Sequence, residues 1–227
     1  MNLTVKAGGI DINFTNDSNL IYKSVFEQDE EAIKPNIENI TVNSKLFVNV
    51  MAKSCDVKII FGNSYICNGT IRVSLGGITA RLSNYSNIEF LDLAIIYAGS
   101  VLVDVRDNAS FDHLNIRVNT GGITMQIEAI SLKKNPTISA GVELDGVIIS
   151  SIPMGMDLGS KLRVTADMGG VSINLGNFSV IKQTASEVEI RTNNYLIAPT
   201  KLDIEIFTGR RVVNKPTFLF TLSNSFS

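Results

Sequence analysis

The twelve residues IRVSLGGITARL, positions 71–82, decide how this chain is read. Apolar and polar residues alternate on both sides of a glycine doublet, the period of two that marks half-buried strands. Near copies stand at 3–14 (LTVKAGGIDINF), 116–127 (IRVNTGGITMQI) and 164–175 (VTADMGGVSINL). After the doublet the inward set keeps one register in all four copies: Ile10, Ile12, Phe14; Ile78, Ala80, Leu82; Ile123, Met125, Ile127; and Val171, Ile173, Leu175.

The second glycines, Gly9, Gly77, Gly122 and Gly170, are 68, 45 and 48 residues apart. These spacings are close to multiples of about 23, and a fixed spacing of that size marks a repeat architecture. Weaker copies fall where the period places them: Cys55-Asp56 before Val57, Gly99 before Val101, Gly146 before Val147, Asn194 before Tyr195-Leu196-Ile197, and Pro216-Thr217 before Phe218-Leu219-Phe220. Only the slot at Ala32 to Pro35 is poor, and the acidic run from Glu27 to Glu31 reads as an irregular insertion or cap around 20–40. Asn16, Asn84 and Asn177 each follow the second glycine by seven residues, with Asn63 and Asn108 near the same slot. Asparagine tolerates left-handed backbone and bonds its own chain, as a repeated corner requires, and stacked copies can form a ladder.

The expected fold is all-β: a single domain over 1–227, a parallel β-helix (β-solenoid) of about ten coils of ~23 residues each. One such coil loses on the order of 35 kcal/mol of conformational entropy at ~1.5 kcal/mol per residue, so it cannot stand alone. Stacking puts like residues on like and buries one continuous interior. Gly-Gly is then a corner between faces. The alternative is an antiparallel β-sandwich of Gly-Gly hairpins, in which Leu75 faces Ile78, Val73 faces Ala80 and Ile71 faces Leu82.

The strand, Gly-Gly corner, strand unit at this coil length, from about Leu3 to Leu222, resembles the adhesin families that include the toast-rack and adhesin head domains. The resemblance implies a right-handed β-solenoid and an adhesin-like role, and it carries over no catalytic residue.

Bulk properties narrow the function. A net charge of −2 and a pI of 5.5 supply no basic field for nucleic acid, and the densest basic cluster is Arg210-Arg211 with Lys215. Cys55 and Cys67 are too few for a disulfide framework and read as two buried free thiols, with a cross-strand pair as the alternative. No apolar run reaches the ~18 residues of a membrane span, and no basic-then-apolar leader opens the chain, which favours the cytoplasm. Asn-x-Ser/Thr triplets at Asn2, Asn13, Asn16, Asn39, Asn68, Asn84, Asn108 and Asn177 are read as turn chemistry in a turn-rich chain.

No reactive constellation is expected, so catalytic, cofactor and metal residues are none and no cofactor is called for. His113, the one histidine, adjoins Asp112, but neighbours on a strand point to opposite faces. It is read as a surface residue. One His and two Cys assemble no zinc site. The glycine doublets lack the following Lys-Ser/Thr and helix of a phosphate loop. Asp104, Asp107 and Asp112, and Glu187, Glu189, Asp203 and Glu205, are the acids a carbohydrate-active β-helix hydrolase or lyase would use, as a carboxylate pair across a groove. Their other reading is the solvated face of strands. Phe14, Phe61, Phe178, Phe218 and Phe220 read as core or end-cap aromatics. The expected function is therefore a non-enzymatic binding or structural module. Its expected partners are a protein, a second copy meeting it through the stack ends at Met1 to Leu3 and Phe218 to Leu222, or a glycan. A subunit of a viral or surface array is a third reading.

Overall fold

A computed structural model of the protein describes residues 1–27, 34–42, 45–129, 131–151, 157–166, 170–174, 178–209 and 221–223. The strands in chain order are β1 (Asn2–Thr15), β2 (Tyr22–Glu27), β3 (Asn36–Val42), β4 (Lys45–Ser54), β5 (Asp56–Gly62), β6 (Cys67–Leu82), β7 (Ile88–Val105), β8 (Phe111–Thr120) and β9 (Ile123–Ile127). There follow β10 (Thr137–Leu144), β11 (Gly146–Ser151), β12 (Leu158–Ala166), β13 (Gly170–Asn174), β14 (Phe178–Gln183), β15 (Glu187–Thr192), β16 (Thr200–Thr208) and β17 (Thr221–Ser223). All seventeen belong to one mixed, open sheet, and no helix occurs among the described residues.

Two parallel ladders organise the sheet. The first runs β4, β1, β6, β7, β8, β10, β16, β12, with Val50, Leu3, Ile71, Leu93, Ile116, Ala140, Ile206 and Val164 in register. The second runs β5, β1, β6, β7, β9, β11, β13, with Ile59, Ile12, Ala80, Val103, Met125, Ile149 and Ile173 in register. β1, β6 and β7 are long enough to serve both. Every residue in these two rows is buried, and all belong to one apolar cluster. Alternation explains the rows: each in-pointing residue finds an apolar residue above and below it, while its chain neighbours face water.

The three glycine doublets that lie wholly within the described residues do not form hairpin tips. Gly8-Gly9 and Gly76-Gly77 lie inside β1 and β6, and they pair with one another in parallel. Gly121-Gly122 separates β8 from β9, which pair with other strands and not with each other. The hairpin-sandwich alternative is corrected on this ground. The corner lies at the first glycine, where Gly8, Gly76 and Gly121 have φ of +125°, +135° and +119°, and Gly99 joins them at +152°. Asp145 takes the next such slot at φ +108°. Of the expected asparagine corners, Asn108 adopts left-handed backbone at φ +57°, and Asn63 Nδ2 donates to Asn16 Oδ1 at 2.9 Å, one step of a ladder. Asn177 lies outside the described residues.

Three expectations of a uniform parallel stack are corrected. First, β2, β3, β14 and β15 are antiparallel to β5, β4, β15 and β12 respectively. The 20–40 region therefore includes two strands lying against β4 and β5, with 28–33 of its acidic run outside the described residues. Second, spatial order departs from chain order: β1 sits between β4/β5 and β6, and β16 sits between β10 and β12. Third, Tyr195-Leu196-Ile197 is a turn and not a strand, with Leu196 66% and Ile197 84% exposed. Its three residues are held by turn bonds from Tyr195 N to Thr192 O and from Ile197 N to Asn194 O. The copy at Phe218 to Phe220, the Arg210-Arg211 and Lys215 cluster, and Leu175 lie outside the described residues.

Candidate functional site

With the in-pointing rows closed to solvent, the outward rows are the surface that the described strands offer a partner. On the first ladder the outward row reads Thr4, Arg72, Ala94, Arg117, Gly141, Phe207 and Thr165 from strand to strand. Ala94 and Gly141 are small, so the surface dips between Arg72, Arg117 and Phe207. An open groove of about 850 Å³ occupies the dip. The register of β7 against β6 and β8 shifts between Ile95 and Ala98. This bulge places Ile96 in the groove wall and leaves Tyr97 62% exposed. Glu143 completes the opposite wall.

Charge is unevenly distributed on this face. Arg117 Nη2 lies 2.6 Å from Asp92 Oδ2, and Asn115 Nδ2 donates to Asp92 Oδ1 at 2.7 Å, so the buried Asp92 carboxylate is fully engaged. Arg72 has no carboxylate within ion-pairing distance among the described residues, and neither have Lys6 and Lys53. Lys6 and Lys53 face each other between the pairs Val5–Ala52 and Ala7–Ser54, next to Arg72's row. The end of the face nearest β4 is thus cationic.

The acids singled out in the sequence do not form one cluster. Glu187, Glu189 and Glu205 gather about Arg163, which bonds Glu187 and stands opposite Glu189 and Glu205 on the adjacent strands, and Asp104, Asp112 and Asp203 lie on other cations. Asp104 Oδ2 accepts from Arg106 Nε at 3.0 Å, and the same guanidinium bonds Glu128. Glu187 receives Arg163 Nε at 2.8 Å and is bonded by Lys182. The Lys182 bond foremost, with Arg163, holds its carboxyl below the usual glutamate range. Asp203 accepts from Tyr195 Oη at 2.6 Å and lies 3.3 Å from Lys161 Nζ. Asp112 pairs with Lys134 at 2.9 Å, and Glu189 stands opposite Arg163 across β12 and β15. Asp104 belongs to the second ladder and Asp203 to the first.

His113 is exposed on β8 while Asp112 is half-buried, as opposite faces of a strand require. Cys55 is buried, whereas Cys67 is only half-buried, a correction to two buried thiols; both are free. Burial pushes the Cys67 thiol up to about 11 against the opposing pull of the Met1 amine. Phe14 and Phe61 stack at 5.6 Å between centroids, and Phe178 packs against the core. Among the described residues no group of three or more His, Cys, Asp or Glu is placed to hold a metal ion. No helix among them is long and apolar enough to cross a membrane.

Sequence reasoning passed over Arg72, Arg117, Gly141 and Phe207. A signal for the first two was present: the triplet IRV recurs at 71–73 and 116–118, putting arginine at the same outward position two strands apart.

No protein-family profile matches the chain, and no curated protein does. Among solved structures, the chain is similar to one from Clostridium sporogenes ATCC 15579 described as a "putative cell adhesion protein". The TM-score is 0.57 at 15% identity, over 92% of this chain and 88% of that one. That likeness shows a shared all-β fold.

Proposed function

We propose that the two parallel ladders are walls of one β-solenoid and that its outward faces bind a partner without transforming it, as an adhesin-like module. The observation that carries this reading is the strand register. Like residues stand on like through β1, β6, β7, β8 and β10, which leaves outward side chains in straight rows and no deep enclosed cleft. The similarity to a protein described in terms of cell adhesion supports it. A hydrolase would need two carboxylates facing each other across a groove, with one free to hold a proton. Asp104, Glu187 and Asp203 are each ion-paired, with Arg106, Arg163 and Lys161 respectively, and Glu189 and Glu205 flank Arg163 on the adjacent strands.

The test is retention without turnover. Beads carrying the protein are expected to be held on an array of extracellular proteins and glycans, and the arrayed polymers to be recovered at unchanged length. Shortened polymers, or no retention on any surface, would overturn the proposal.

A further inference from the structure

The groove between Arg72 and Phe207 combines three features that point to one ligand class. Its floor dips at Ala94 and at Gly141, on either side of Arg117, whose guanidinium is paired with Asp92. Its cationic end holds Arg72, with Lys6 and Lys53 beyond, none of them engaged by an acid among the described residues. Its far end presents the half-buried Phe207 ring and the Glu143 carboxylate. The strands from β6 to β16 step across four spacings of about 4.8 Å, so the groove follows roughly 19 Å of a linear ligand.

We infer that this groove binds a linear glycan carrying carboxylates on some of its sugars, a uronate-bearing polysaccharide. The inference rests on the non-enzymatic binding reading above. A carboxylate suits Arg72, whose planar fork offers paired donors and which no acid among the described residues engages. A sugar ring suits the dip at Gly141 beside Phe207, because its flat apolar face fits the stretch of backbone that carries no side chain there. An acidic peptide is less well matched. Every strand under the groove has both edges occupied, β6 by β1 and β7, β8 by β7 and β10, β10 by β8 and β16, so a peptide finds no backbone edge to extend.

Gly141 makes a clean test. A Cβ added there meets its nearest atom, the Ile116 carbonyl oxygen, only at 4.0 Å, so the strand accepts a side chain at this position, and that of Gly141→Val would stand in the groove. Calorimetric titration with a hyaluronan octasaccharide, which alternates uronate with neutral sugar, should show saturable binding that weakens with salt. A neutral dextran oligosaccharide and poly-glutamate should bind at least tenfold more weakly. Gly141→Val and Arg72→Gln should each weaken octasaccharide binding at least tenfold, with the thermal midpoint of unfolding unchanged. Absence of octasaccharide binding, equal binding of poly-glutamate or dextran, or wild-type affinity in Gly141→Val would overturn the inference while leaving the binding-module reading intact. Shortening of the octasaccharide would instead overturn that underlying reading.

Discussion

Gly76 stands on Gly8 so closely that a Cβ on Gly76 would lie 2.0 Å from the Gly8 carbonyl oxygen. The same relation continues along the corner: a Cβ would sit 2.1 Å from Cys55 O at Gly8, 1.7 Å from Gly76 O at Gly99, and 1.8 Å from Gly99 O at Gly121. The obstacle is backbone at every step, so no side-chain rotation relieves it. With φ between +119° and +152° at the four glycines, an L side chain is disfavoured there even without the contact.

Gly76→Ala is therefore expected to destabilise the fold by about 3 kcal/mol or more, while Gly77→Ala costs under about 1 kcal/mol. At Gly77 an added Cβ meets its nearest atom, Ser100 O, at 3.6 Å, an ordinary contact. Urea unfolding of both variants measures the difference. Equal midpoints would remove the glycine column as a structural determinant.

Asp145 occupies the equivalent corner with a side chain at φ +108°. Strain of this kind costs on the order of 1 kcal/mol, so Asp145→Gly is expected to stabilise the protein by about that amount despite glycine's greater freedom in the unfolded chain. A lower denaturation midpoint in this variant would show that the Asp145 side chain does more for stability than its backbone costs.

Asp92 and Arg117 are unequal partners, because the Asp92 side chain is 7% exposed and that of Arg117 58%. Removing the cation leaves a buried carboxylate held only by Asn115. Removing the charge on Asp92 leaves an arginine that turns to water. Arg117→Gln should cost about 2 kcal/mol and Asp92→Asn about half of that. Reversal of that order in thermal unfolding would place the pair's importance elsewhere.

The Cys67 thiol, raised to about 11 chiefly by burial, predicts an alkaline limb in stability. The folded state holds this proton more tightly than the unfolded chain, whose cysteine titrates near about 8.5. Its contribution is therefore complete below about pH 8.5 and is lost as pH rises toward 11. Cys67→Ala should flatten that limb, and iodoacetamide should label Cys67 in the native protein far more slowly at pH 8 than a free peptide thiol. Labelling of Cys67 at the peptide rate would contradict the burial on which this rests.

Much of the interior was legible without coordinates. Ile78, Ala80, Leu82, Ile123, Met125 and Ile127 were placed inward by alternation alone, and each is buried. Gly99, which no doublet marks, lies at the corner in register with Gly76, whereas Gly146 falls one slot later, in register with Gly170, and Asp145 takes the corner. The candidate groove was less legible. Arg72 and Arg117 gave a repeat signal, but Gly141 and Phe207 fall in segments with no doublet, and only the pairing of β10 with β16 brings them side by side. Tyr195-Leu196-Ile197 matched the strand rhythm and failed because Asn194 closes a turn instead, Ala198 N donating to Asn194 O at 2.8 Å.

From the sequence alone came the all-β character, the inward side of the strands next to the glycine doublets and the need for glycine at the bend. These are local properties, set by the two-residue period and by the space a Cβ requires. Which strand lies on which was settled only by tertiary structure: β1 between β4/β5 and β6, β16 between β10 and β12, and reversed strands at both ends of the first ladder. The physical reason is that every unit offers its neighbours the same alternating apolar row and the same free backbone edges. Local pattern is satisfied by any order of stacking, and the choice among orders rests on contacts between residues far apart in the chain.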